Sequence, residues 1–254
     1  MDVTSVARDY LERWPAEPRR GRAPAGRLAG LRATLGEDFG RRVAAYYESA
    51  PDRSSELQSR YERFAACSLL QYRGLVQAGF RVRPWLRDGQ PYSGFRQLRD
   101  QLRRSRTVHV FLTSAGHGPE APAGPHPLRE PSGVVVDGVE FCHNDILRAV
   151  HDVFGHLLAD AGFGPMGEFA AVYSQMRLYP PDLHDILFAE QVGQICWFFY
   201  GPHLSDRSGT LPGPGDAAYT PPPHRPYPQQ KIVEFEAHFI DEFREAFRAK
   251  EALA

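Results

Sequence analysis

The chain has 254 residues, 42% hydrophobic and 24% charged, with a formal net charge of −1, which suits a globular protein and gives no general attraction for nucleic acid or an anionic membrane. Cys67, Cys142 and Cys196 are odd in number and lack CxxC spacing, which argues against a disulfide framework or a thiolate zinc site and predicts reduced thiols in a cytoplasmic protein. The opening MDVTSVARDYLERW lacks an apolar h-region and no run approaches ~20 apolar residues, so neither a signal peptide nor a membrane span is expected.

Residues 3–14 have helical spacing that Pro15 ends, and the Pro/Gly/Arg-rich stretch 15–26 reads as a linker. Helical patterns follow over 27–49 and 54–78, with Gly79 placed to stop the second. The arginine-rich runs Arg19 to Arg32 and Arg96 to Arg106 are interleaved with acids, Gly and apolar residues, as on a solvated surface. A short helix near 94–104 precedes TVHVFLTS (107–114), which reads as a buried strand, and 115–131 reads as loop. SGVVVDGVEF (132–141) predicts a hairpin turning at Asp137-Gly138. Helices are predicted over 144–159, capped by Asn144 or Asp145, then over 166–178 and 182–200. Residues 201–230 hold eight of the 22 prolines and predict a long irregular segment, able to act as a lid carrying Tyr219 and Tyr227 or as a connector. A last amphipathic helix is predicted over 231–252, its Phe-rich stripe covering the chain's own core. The fold class is therefore mainly α with a few short β-strands (α+β).

His151-Asp152-Val153-Phe154-Gly155-His156 lies inside an apolar helical frame that includes Ile146, Leu147, Val150, Leu157 and Leu158. Two histidines and a carboxylate buried there are costly unless satisfied, and a metal satisfies neutral imidazoles directly. On an ideal helix an i, i+5 pair sits about 140° apart, so both histidines share a metal only if the helix is irregular between them, with Gly155 the natural place. An ideal helix would instead pair Asp152 with His156. Glu190, 34 residues after His156 on the apolar helical stretch Ile186 to Gly193, is a carboxylate in need of a cation or donors. Gln194, one turn on, is placed to orient it, whereas Asp182 and Asp185 read as first-turn residues. His151, His156 and Glu190 together make a two-His, one-carboxylate set suited to iron(II).

This block resembles the pterin-dependent aromatic amino acid hydroxylases, and the bacterial phenylalanine 4-hydroxylases share it. Phe169-Ala170 and Ser174-Gln175 are similar to the family's Phe-Ala-x-x-x-Ser-Gln stretch, and His109-Val110-Phe111 to its strand beside the site. The resemblance covers about 107–200 and is specific across 145–193. The chain as a whole reads as a single catalytic domain over 1–254, with an N-terminal helical part (1–80) and an iron-binding core (81–254) that includes the loop 201–230. The resemblance implies Fe(II) on His151, His156 and Glu190, catalytic as well as metal-ligating, and tetrahydrobiopterin or a related tetrahydropterin near Asp152. It also implies an aromatic amino acid or derivative hydroxylated with dioxygen. Leu157-Leu158 stands where the family has Val-Pro. Matching Trp197 to the family's tryptophan would leave Gly201 at the ligand position, whereas matching Phe188 and Glu190 keeps the ligand. Arg129 and Arg148 are candidates for the arginine that pairs with the substrate carboxylate. The oligomeric state is open.

Three other readings remain. One is an iron oxygenase on the same fold that takes electrons from its own substrate. Another is a zinc hydrolase, which would need a Glu placed as general base, a role for which Asp152, directly after His151, is shorter than usual. The last is a non-enzymatic helical binding module in which His151 and His156 are core.

Overall fold

The computed structural model describes residues 2–14, 35–115 and 125–251. The expected linker 15–26, the beginning of the helix expected at 27–49 and most of the 115–131 loop lie outside the described residues. The described chain is mainly helical with a few short strands. None of its helices is long and apolar enough to cross a membrane.

α1 (Val3–Arg13) buries Val6, Ala7 and Tyr10 on one stripe. α2 (Glu37–Ser49) buries Phe39, Val43, Ala44 and Tyr47. α3 (Ser54–Gln77) buries a column running from Leu57 through Tyr61, Phe64 and Tyr72 to Leu75, and Gly79, at φ 85°, turns the chain out as expected. β1 (Arg81–Trp85) then pairs in parallel with β2 (Thr107–Phe111), with α4 (Phe95–Ser105) crossing between them. Strand β1 was not expected from RVRPW, because Pro84 and two arginines mask a short run in which Val82 and Pro84 turn inward. With a partner only on one side, Pro84 loses nothing in the ladder. β3 (Pro131–Val136) and β4 (Val139–Cys142) form the hairpin, with Asp137 and Gly138 both left-handed at φ 50° and 78°.

The next helix starts earlier than expected, so that Asn144 and Asp145 lie inside its first turn and neither is its cap. α5 (His143–Val150) has Cys142 at its N-cap, and Asp145 reaches back to accept the Cys142 N–H at 3.0 Å. The other oxygen of Asp145 accepts the Thr113 N–H and hydroxyl, each at 2.7 Å, tying the end of β2 to the start of α5. α5 runs without a break into a π-wound segment, His151–Leu157. α6 (Pro165–Met176) lies along that segment, where the Ser174 hydroxyl donates to the Phe154 carbonyl at 2.8 Å. α7 (His184–Leu187), a second π segment (Phe188–Gly193) and α8 (Gln194–Tyr200) form one continuous helix. α2 and α8 pack closely because Gly40 has no Cβ; one placed there would overlap the Tyr200 ring.

Residues 201–230 are irregular apart from short 3-10 turns, as expected. α9 (Ala237–Glu251) begins later than its periodicity suggests. Ile232 is instead bonded to the α2–α3 turn, accepting from Arg53 N–H at 2.9 Å and donating to Asp52 at 3.3 Å. Ile232, Val233 and Phe235 still reach the core as extended chain. Phe39, Phe169, Phe188, Phe243 and Phe247 form a continuous aromatic cluster linking α2, α6, the second π segment and α9, so the last helix does cover this chain's own core. Each fully buried ring contributes roughly 2–3 kcal/mol to holding α6 against the second π segment and α9.

Candidate metal centre

The π winding removes the angular problem posed by an i, i+5 pair. Its backbone bonds run between residues five apart, so His151 and His156 stack on one face rather than splaying. Their rings lie 4.7 Å apart in an edge-to-face arrangement. Gly155 is needed for this, as expected, although the irregularity spans the whole turn. A Cβ on Gly155 would stand 2.9 Å from His151 Nδ1 and 3.1 Å from the Ala171 carbonyl.

The carboxylate beside these rings is Glu168. Its Oε2 lies 3.3 Å from His151 Nε2 and 3.4 Å from His156 Nε2. His151, His156 and Glu168 each offer one donor atom, all within 4.8 Å of one another, the one such group of three among the described residues. Glu168 occupies the first turn of α6, after Pro165 at its start. Gly167 lets that turn fold onto the preceding loop, since a Cβ there would overlap the Gly162 carbonyl. Glu168 carries no signal of its own in the sequence, since an acid just inside a helix N-terminus is ordinarily explained by the helix dipole. The Gly-Pro-x-Gly run before it, which brings the helix start so near the histidines, was the available signal.

The far side of each ring is tied down. His156 Nδ1 lies 3.0 Å from the Ala161 carbonyl and His151 Nδ1 lies 2.8 Å from Gln175 Oε1. Both partners are acceptors, so each Nδ1 carries a proton and each Nε2 is directed at Glu168. Burial by itself would raise the Glu168 carboxyl, but His156 and His151 outweigh it and hold it at about 2. His156 rises in turn, its burial opposed by Glu168 and Asp152. Asp152 sits beside the site and is pushed up to about 6 by burial, against the pull of both histidines. No hydrogen bond holds its carboxylate among the described residues. Phe163 packs against His156 at 4.8 Å and Phe95 at 6.5 Å, giving the site an apolar wall.

Glu190 is placed differently. It is buried in the second π segment, within a ring of donors and outside the His151–His156–Glu168 group. The Tyr61 hydroxyl donates to its Oε1 at 2.6 Å, and the Gln194 and Gln230 amides donate to Oε2 at 3.0 and 2.9 Å. His126 Nε2 lies 3.3 Å from Oε1; its Nδ1 accepts the Leu128 N–H, so the proton is on the side facing Glu190. Burial works to raise the Glu190 carboxyl, but His126, Tyr61 and Gln230 outweigh it and the group lies below its ordinary value. Gln194 does orient Glu190, as expected, but within this second cluster. The charge is satisfied by side chains alone.

Of the two arginines considered for a substrate carboxylate, Arg148 donates to the Phe111 carbonyl at 2.6 Å and Arg129 contacts Gln230 at 3.3 Å. Asp182 and Asp185 pair with Arg63 and Arg60. Tyr227 stacks on Phe198 at 5.7 Å and accepts from Gln90, while Tyr219 lines a cleft with Glu37, Phe199, Tyr200 and Arg225 that contains neither histidine.

Two imidazole nitrogens and one carboxylate oxygen, with both imidazoles oriented from behind, fit a divalent first-row metal with coordination positions left for other ligands. No protein-family model matches the chain, and no curated protein or solved structure matches it at a significant level.

Proposed function

We propose that the chain is a mononuclear non-haem iron(II) monooxygenase that hydroxylates an aromatic amino acid or a derivative, with a tetrahydropterin as reductant, on an aromatic amino acid hydroxylase-like fold. The observation that carries this reading is the aim of His151 Nε2 and His156 Nε2 at one oxygen of Glu168, with both Nδ1 atoms engaged elsewhere. In this reading the ligands are His151, His156 and Glu168, and Glu190 is a neighbouring structural carboxylate. Iron bound there, given a reductant, supplies the activation of dioxygen needed for ring hydroxylation. The chain's own residues hold and shield. Gln175 and the Ala161 carbonyl fix the imidazoles, while Phe95 and Phe163 keep water from one side and offer an apolar surface to a ring. Asp152, a carboxylate with no hydrogen bond among the described residues, is placed to accept donors from a cofactor or substrate.

The test is the metal content of anaerobically purified protein, followed by oxygen uptake with tetrahydropterin and a panel of aromatic amino acids. Near-stoichiometric iron with uptake that needs both pterin and aromatic substrate supports the reading; protein holding only zinc, or no metal, overturns it.

A further inference from the structure

We infer that Gln175 and Gln191 form a positioning pair that sets which nitrogen of His151 is free to bind a metal; this rests on the metal reading above. Gln175 is fully buried on α6, in the stretch facing the π-wound histidines. Its Oε1 accepts twice, from His151 Nδ1 at 2.8 Å and from Gln191 Nε2 at 3.1 Å. Gln191 comes from the other π segment, so the two irregular turns meet through this one amide oxygen.

A buried amide beside an imidazole has two orientations with opposite consequences. With the oxygen toward His151, the ring keeps its proton on Nδ1 and Nε2 has a lone pair for a metal. With the NH2 toward His151, Nδ1 must accept and the proton moves to Nε2, which blocks ligation. In the structure both amides stand in the first orientation, with Gln191 donating to the same oxygen as His151. In that orientation the Gln175 NH2 has the Tyr179 side chain beside it, and the Gln191 carbonyl is buried with no hydrogen-bond partner among the described residues. A buried amide held between His151 and Gln191 is placed to fix the His151 tautomer.

Cobalt(II) titration with the visible spectrum of the bound ion reads affinity and coordination without relying on turnover. Gln175→Leu is expected to weaken cobalt binding about 10- to 100-fold and to alter the spectrum, as loss of a ligand's outer partner does. Gln175→Glu keeps an acceptor oxygen and is expected to restore both readouts. Gln191→Leu, at a half-buried position, is expected to lose less, on the order of threefold to tenfold, and it carries the test if Gln175→Leu does not fold. Wild-type protein that binds cobalt while the folded leucine variants match it in affinity and spectrum overturns this inference alone. Wild-type protein that binds no divalent metal overturns it together with the proposed function.

Discussion

Two buried carboxylates, Glu168 and Glu190, stand on neighbouring helices of one core, and their surroundings differ in kind. Glu190 is enclosed by a tyrosine hydroxyl, two amides and the N–H of a histidine whose other nitrogen is already bonded to backbone. Glu168 faces two histidines whose Nε2 atoms, with both Nδ1 atoms engaged elsewhere, converge on one of its oxygens. A buried charge surrounded by donors is at rest, whereas one facing convergent acceptor-capable nitrogens is set up to share a cation with them. On the proposed reading Glu168 shares the metal and Glu190 is a structural anchor, although both look alike as acids on apolar helices.

The largest effect expected is on metal affinity. Glu168→Ala should lower iron or cobalt affinity by roughly a thousandfold, about 4 kcal/mol, in an equilibrium titration, with the fold retained. Retained tight binding would break the assignment. Glu190→Ala should do the converse, keeping the metal while losing about 3 kcal/mol in urea unfolding, because Tyr61, Gln194, Gln230 and His126 are left without their acceptor. Glu190→Gln should recover most of that loss.

Gly155→Ala sharpens the role of the π turn. Replacing a helical glycine with alanine ordinarily stabilises by nearly 1 kcal/mol. Here the added Cβ meets the His151 ring and the Ala171 carbonyl, so thermal unfolding of the metal-free variant should show a loss of ~1–3 kcal/mol. A stabilised variant would show that the turn relaxes without involving His151.

The smallest effect expected is at Asp152, a third carboxylate with neither a ring of donors nor convergent imidazoles. Its folded value, about 6, lies above the ordinary 3.8, so the folded state holds the proton more tightly. Ionisation therefore costs stability, absent below pH ~3.8, growing up to pH ~6 and complete above it. Metal-free Asp152→Asn should be more stable than wild type by about 1 kcal/mol at pH 7.5, since partial solvent access reduces the full penalty, and equal to it near pH 3.5. Equal melting temperatures at both pH values would remove the strain assigned to this carboxylate.

Much of the helical order is legible in the sequence, because the apolar stripes of α1, α3 and α9 and the Asp137-Gly138 turn are local signals. Strand β1 was hidden by Pro84, and the late start of α9 is decided by bonds between Ile232 and the turn at residues 52 and 53, which no local pattern contains. At the candidate site, His151 and His156 and the need for an irregular helix between them follow from spacing and burial. The choice of carboxylate does not follow. Glu190 is the odd acid in an apolar stretch, but Tyr61, His126 and Gln230 meet it from distant parts of the chain. Glu168 looks like a first-turn residue until the Gly162–Gly167 approach brings it to the histidines.

The most direct test of this assignment is a crystal of the iron-loaded protein with anomalous difference maps measured across the iron absorption edge. The account predicts a single strong peak bounded by His151 Nε2, His156 Nε2 and Glu168, with Glu190 still held by Tyr61, Gln194 and Gln230. A peak that includes Glu190 among its ligands, or one away from both histidines, would contradict it.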